Sequence, residues 1–181
     1  MNHKQLYEFR DMDGAGNPEV VMSRYDEGNY NSDAPNARVV IYSSNDNWKY
    51  DAVGGTNDAD GDGKHDDEDR SYYINAANFV TQMVTLSPFH EGKRLFDRIL
   101  IAFDASNVKD VNIMHFNKGN RDLTRPDFTV TAANPDQYWS YRSIIATSRK
   151  DADGDGDIDL DDDLIYRRLA TSFASMRNLK P

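Results

Sequence analysis

The sequence predicts a mainly β (α+β) fold: an antiparallel β-sandwich or jelly-roll-like domain with inserted acidic loops and a C-terminal amphipathic helix. Short runs of β-branched and aromatic residues recur between polar turns along the chain. Two acidic segments with one residue pattern lie far apart among these runs. With 181 residues, the chain has the length of one domain and can bury an adequate core.

The strand predictions follow the β-branched and aromatic runs. Residues 4–10 form a short strand or an ordered arm, and the polar residues 11–17 form a hairpin turn. Turn residues separate the other strand candidates, which span residues 18–25, 37–42, 98–104, 111–116, 128–132 and 138–147.

The helix predictions rest on spacing and on capping residues. Residues 71–86 fit a helical face at first and a strand afterwards, so we expect a helix that gives way to extended chain. Ser87 and Pro88 predict a further helix through residue 96, since serine suits the N-cap and proline the first helical position. The last part of the chain predicts an amphipathic helix with apolar residues Leu164, Ile165, Leu169, Phe173 and Met176.

Two segments, residues 58–69 and 151–162, share the pattern D-x-D-x-D-G-x-x-D-x-x-D. Carboxylates at this density repel one another, and a hard cation with about six to eight oxygen ligands would hold them together. In a twelve-residue loop, the side chains at positions 1, 3, 5, 9 and 12 and the carbonyl at position 7 face the ion, and glycine at position 6 permits the turn. The pattern predicts about two Ca²⁺ ions. The ligands of the first are Asp58, Asp60, Asp62, Lys64 (by its carbonyl), Asp66 and Asp69, and those of the second are Asp151, Asp153, Asp155, Asp157 (by its carbonyl), Asp159 and Asp162.

The D-G-D-G runs and the aspartate at position 12 make both loops similar to thrombospondin type 3 repeats and to dockerin-type EF-hand loops. The resemblance covers these two segments only. It implies the metal ligands but not cohesin binding, because the two loops of a dockerin lie close together in sequence. We expect residues 1–148 to form a β-rich domain that contains the first loop, with the EF-hand-like loop and helix of residues 149–181 packed on it.

The formal net charge of −10 is concentrated in the two acidic loops. They hold 14 of the 31 acidic residues and one of the 21 basic residues, so the rest of the chain has 17 acidic and 20 basic side chains. No basic run with interleaved aromatic residues occurs, which argues against a nucleic-acid partner. No apolar stretch approaches the roughly 18 residues that a membrane span needs.

Cysteine is absent, which excludes disulfides and thiolate metal sites. Weak calcium sites that stabilise a fold are typical of extracellular modules. The N-terminal residues show no apolar region of a secretory signal. We therefore expect an extracellular or virion protein that leaves the cell by lysis, by a non-classical route, or after removal of a leader.

No catalytic motif is recognisable. The histidines share no metal-ligand spacing, and neither a G-x-S-x-G motif nor a phosphate-binding glycine motif occurs. Aromatic residues flank both loops and could bind sugar rings, although packing in the core is the favoured interpretation; they are Trp48, Tyr50, Tyr72, Tyr73, Tyr138, Trp139 and Tyr141.

Together these features predict a non-enzymatic, calcium-stabilised structural or assembly protein of an extracellular particle, such as a virion component, a surface layer or a filament subunit. Its partners would be copies of itself or other subunits. One alternative is a calcium-dependent adhesin or carbohydrate-binding module, and another is a hydrolase domain with structural calcium. A calcium sensor is disfavoured because sensors pair adjacent EF-hands.

Overall fold

The computed structural model describes residues 4–14, 17–55, 58, 62–86, 98–107, 109–117 and 119–176. The strands are β1 (Lys4–Arg10), β2 (Glu19–Tyr25), β3 (Ala37–Tyr42), β4 (Ala52–Gly54), β5 (Arg98–Phe103), β6 (Val111–His115), β7 (Phe128–Pro135) and β8 (Tyr141–Ile144). The helices are α1 (Asp67–Leu86), α2 (Leu160–Ser175) and one 3₁₀ turn (Ala146–Ser148). Neither α1 nor α2 combines the length and the hydropathy that a membrane-spanning helix needs.

The eight strands within the described residues belong to one antiparallel sheet with the order β4-β3-β2-β1-β5-β6-β7-β8. Strands β1 to β4 form one meander and β5 to β8 form a second. The two meanders join through the central β1–β5 pair, where Leu6 lies opposite Leu100.

The two halves of the chain repeat one structure: four strands, an acidic loop and a helix. The strand registers are equivalent. In the first half Ile41 lies between Val20 and Val53, and in the second half Ala132 lies between Val111 and Ile144. The chain is therefore an internal structural repeat whose halves meet at the centre of the sheet.

Details of the turns support the repeat. Trp48 and Trp139 hold equivalent places before β4 and β8, and both have a φ of 63°. Two residues later, the hydroxyls of Tyr50 and Tyr141 each donate a 2.8 Å hydrogen bond to a main-chain carbonyl, of Pro18 and of Lys109 respectively. The carbonyl acceptors are equivalent as well, since each lies just before the second strand of its half.

Both helices pack on the same face of the sheet. Alternate strand residues point to opposite faces, and those facing the helices join them in the main core, which includes Tyr7, Ile41, Ile101, Phe79 and Phe173. A smaller cluster lies on the other face, where Leu123 from the β6–β7 loop packs with Leu6, Tyr25, Leu100 and Phe116.

The predicted antiparallel β class with a C-terminal helix is confirmed. The sandwich or jelly-roll form is not confirmed, because the eight described strands lie in one sheet whose covering layer is helical. The helix predicted for residues 87–96 lies outside the described residues.

Three local predictions differ from the structure. Residues 79–86 are helical rather than extended, because Ala76, Val80 and Met83 are buried at helical spacing against the sheet. Strand β4 was not predicted, since three residues that include a glycine carry little strand signal. Strand β8 is shorter than predicted because the carboxylate of Asp136 accepts backbone hydrogen bonds from Tyr138 and Ser140 and closes a turn before it.

Candidate metal centre

The second acidic loop brings three predicted ligands together. Oxygen atoms of Asp151, Asp153 and Asp155 all lie within 4.8 Å of one another. Oxygens bound to one Ca²⁺ at 2.3–2.6 Å can be at most about 5 Å apart, so the three carboxylates fit a single calcium shell. Their hard oxygen donors also suit calcium rather than a soft metal.

Backbone hydrogen bonds give this loop its shape. The Asp151 carboxylate accepts hydrogen bonds from Gly154 at 2.6 Å and from Gly156 at 3.0 Å. Both glycines have positive φ, 80° and 99°, a conformation that favours glycine. The chain therefore wraps around the first predicted ligand.

The last predicted ligands tie the loop to α2. Asp162 is only 2% exposed, and its carboxylate accepts hydrogen bonds from Ala152 at 2.5 Å and from Asp159 at 2.7 Å. Asp159 is the N-cap of α2 and forms a capping box with Asp162. Asp157, which is predicted to contribute only its carbonyl, is exposed, as are the predicted side-chain ligands Asp155 and Asp159.

The electrostatics of this loop favour a cation. Partial burial, with the neighbouring carboxylates of Asp155, Asp162 and Asp151, raises the pKa of Asp153. A bound cation would remove this repulsion. All predicted side-chain ligands are carboxylates. The positive charge that neutralises them has to come from an ion in solution or from a side chain outside the ligand set.

The second loop is anchored to the main core by buried residues within it and just after it. The side chain of Ala152 is fully buried in the main core. Tyr166, one turn after Asp162, is also fully buried, and its hydroxyl lies 3.3 Å from Nε2 of His115 on β6. Outside the loop, Arg149 forms a 2.8 Å ion pair with Asp163, a residue beyond the twelve-residue ligand pattern.

The described part of the first acidic loop shares hydrogen bonds with the second loop, among them those from Gly63 to Asp58 and from Asp66 to Asp69. The Asp58 carboxylate accepts from Asp62 at 3.1 Å and from Gly63 at 2.8 Å, and Asp69 accepts from Asp66 at 2.9 Å. Gly63 has a φ of 85°, and Asp69 is 5% exposed. Asp60 lies outside the described residues, so the position 3 ligand of this loop is not described.

The two loops differ at position 7. Lys64 holds this place in the first loop, and its Nζ lies 3.3 Å from a carboxylate oxygen of Asp62, the predicted position 5 ligand. The hydrogen bond from Lys64 to Asp62, with the nearby carboxylates, raises the pKa of the lysine. A metal ion in this loop would compete with an ammonium group that the second loop lacks.

A third acidic group was not predicted. Carboxylate oxygens of Asp11, Asp13 and Glu19 also lie within 4.8 Å of one another at the β1–β2 turn. Residues 11–17 suggest only a turn, and Glu19 joins them because the hairpin places it opposite Arg10. The hydrogen bonds from Met12 to Glu19 and from Gly14 to Asp11, both 2.8 Å, account for two of these carboxylates as turn-forming groups.

The other candidate residues lie mainly in the core. Among the loop-flanking aromatics, Tyr50, Tyr72 and Tyr141 are at most 2% exposed, whereas Tyr138 is 78% exposed. His115 stacks on Phe128 with ring centroids 4.2 Å apart, and burial lowers its pKa to about 3. Apart from Tyr138, these positions fit packing in the core.

The chain thus belongs, by its fold and loops, to the class of internally repeated α+β domains with one acidic loop in each half. No protein family, no curated protein and no solved structure matches it.

Proposed function

We propose that this protein is a non-enzymatic, calcium-stabilised structural protein, and that it assembles with copies of itself or with other subunits of an extracellular particle such as a virion, a surface layer or a filament. The observation that carries the proposal is the carboxylate group of Asp151, Asp153 and Asp155, whose spacing suits one Ca²⁺. The hydrogen bonds shared by the two loops extend the proposal to a second ion.

The position of the loops suggests what the ions do. Each loop connects the last strand of a half to the helix that covers that half. Asp69 and Asp162, the predicted last ligands, lie in the first turns of α1 and α2 and are buried. A bound ion would fix the start of each helix against the sheet, so it would stabilise the whole fold.

Calcium titration of the purified protein tests the proposal. We expect about two ions per chain, and a higher melting temperature in calcium than after chelation, since ligand at a hundred times its Kd adds about 2.7 kcal/mol per site. Asp58→Asn and Asp151→Asn should each remove one ion. Glu27→Gln, which removes one exposed carboxylate outside the loops, is the matched control and should remove none.

Light scattering on the same samples tests the assembly role. Larger particles in calcium support a subunit whose contacts depend on the ordered loops. If calcium does not raise the melting temperature and its addition produces no heat of binding, the metal proposal is wrong. If magnesium acts as strongly as calcium, the loops are unselective acidic clusters.

A further inference from the structure

An exposed apolar patch surrounds the start of α2. It consists of Ile158, Leu160 and Leu164, which are 50%, 78% and 37% exposed. Leu160 and Leu164 lie one turn apart on the same face of the helix, and Ile158 precedes them at the end of the second acidic loop.

The first half of the chain shows that the fold does not need apolar side chains at these places. The loops align through their shared hydrogen bonds, Asp66 to Asp69 and Asp159 to Asp162. This alignment places His65, Asp67 and Ser71 at the positions of the three patch residues. Because polar residues fill the same positions of the same structure, folding alone gives no reason for the apolar patch.

Charges at the two ends of the patch indicate its partner. Exposed Asp161 lies beside Leu160 near the start of α2, and exposed Arg168 lies one turn beyond Leu164. At 100° per residue, Leu160, Asp161, Leu164 and Arg168 share one side of the helix. The face is thus acidic at one end, apolar in the middle and basic at the other end.

Such a face is complementary to itself across a two-fold axis. We infer that the face of α2 formed by Leu160, Asp161, Leu164 and Arg168 binds the same face of a second copy of this chain in antiparallel orientation. With the axis at Leu164, the two Leu164 side chains meet. Asp161 of one copy then lies within about one helical rise of Arg168 of the other, and the pairing occurs twice.

This inference identifies the partner in the proposed assembly as a second copy of the chain. It rests on the proposed assembly role but does not require bound calcium. The patch is smaller than the roughly 1,200 Å² buried by stable interfaces, so the isolated dimer is weak and needs high protein concentration. In a particle, many such contacts act together and the affinity rises through multivalency.

Sedimentation equilibrium up to about 1 mM protein tests the inference, in calcium and in chelator. We expect a concentration-dependent dimer. Replacing the patch by the residues of the first half (Ile158→His, Leu160→Asp, Leu164→Ser) should weaken it by at least about tenfold. Ile74→Arg, which replaces an apolar residue of α1 that is 53% exposed, is the control and should leave the dimer intact.

A charge exchange distinguishes this geometry from other contacts. Asp161→Arg and Arg168→Asp should each make the protein monomeric, since like charges then face each other twice. An equal mixture of the two variants should dimerise, because both ion pairs form again, one of them in the original sense and the other with reversed sign. Circular dichroism and melting temperature verify that each variant folds. A monomeric wild type at about 1 mM, or a mixture that stays monomeric, overturns the inference. If the protein dimerises equally in chelator and in calcium, the dimer inference holds even when calcium titration disproves the metal sites.

Discussion

Lys64 and Asp157 occupy the same position of the two acidic loops, and each donates its backbone N–H to the carboxylate two residues earlier at 2.8 Å. The backbone is therefore equivalent at a place where the side chains carry opposite charge. Both side chains are exposed to solvent, but Lys64 turns its ammonium group back to Asp62. The repeat thus provides two versions of one acidic loop, which differ in the charge of the side chain at position 7.

This difference predicts unequal calcium affinities. In the first loop the ion must displace the lysine from Asp62, so we expect this site to be the weaker one. Lys64→Asp should strengthen it, and Asp157→Lys should weaken the second site. Each substitution reverses one charge beside an exposed site, so each should change the calcium affinity of its loop severalfold.

Isothermal titration with one loop disabled at a time measures each affinity. Asp151→Asn isolates the first loop and Asp58→Asn isolates the second. Lys49→Asp, the same change at another lysine, is the control for net charge, and it should leave both affinities nearly unchanged in physiological salt. Equal affinities of the two wild-type loops would contradict the prediction.

The equivalent tyrosines of the repeat supply a prediction about stability. Tyr50 and Tyr141 are buried, and each phenol donates a hydrogen bond that joins the chain just after a turn to a carbonyl before the second strand of its half. Tyr→Phe at either position should lower the free energy of unfolding by about 1 kcal/mol, because it leaves a carbonyl without its donor.

Urea denaturation of the single and double variants tests this prediction. The two hydrogen bonds lie in opposite halves of the chain and share no partner, so the losses should add to about 2 kcal/mol. Tyr138→Phe is the matched control, because that side chain is 78% exposed and its loss of a hydroxyl should cost little. Strong non-additivity would mean that the halves are coupled through these residues.

The sequence predicts the features that depend on neighbouring residues. The grouping of Asp151, Asp153 and Asp155 follows from spacing within twelve residues, and β5 follows from an unbroken apolar run. The repeat was not predicted beyond the acidic loops, because its core positions exchange residues, as Met22 does with Ile113. Trp48 and Tyr50 of the first half match Trp139 and Tyr141 of the second. Two matching residues are too few to align the halves before the strand pairing is known.

Features that depend on tertiary contacts were predicted poorly. The second half of α1 contains Val80, Thr81 and Val84, whose β-branched side chains favour a strand locally. Burial of the helix face against the sheet outweighs this preference. Glu19 joins the third acidic group only because the β1–β2 register places it opposite Arg10, and the predicted hairpin turn did not specify that register.

His115 supplies a prediction about pH. Burial lowers its pKa to about 3, from about 6.5 in the unfolded chain. Between these values the unfolded state binds the proton and the folded state does not, so stability is complete above about pH 6.5 and falls as the pH falls toward 3. The protein should be about 2 kcal/mol less stable at pH 5 than at pH 8 from this residue alone.

Urea denaturation in chelator at several values between pH 5 and pH 8 measures this effect without metal binding. His115→Gln should lower the stability at pH 8, since it disturbs the stacking on Phe128, but it should flatten the dependence on pH. His65→Gln is the control, because it removes an exposed histidine and should leave the slope as in the wild type. A slope that survives His115→Gln would assign the pH dependence to other groups and would show that His115 is accessible to protons in the folded state.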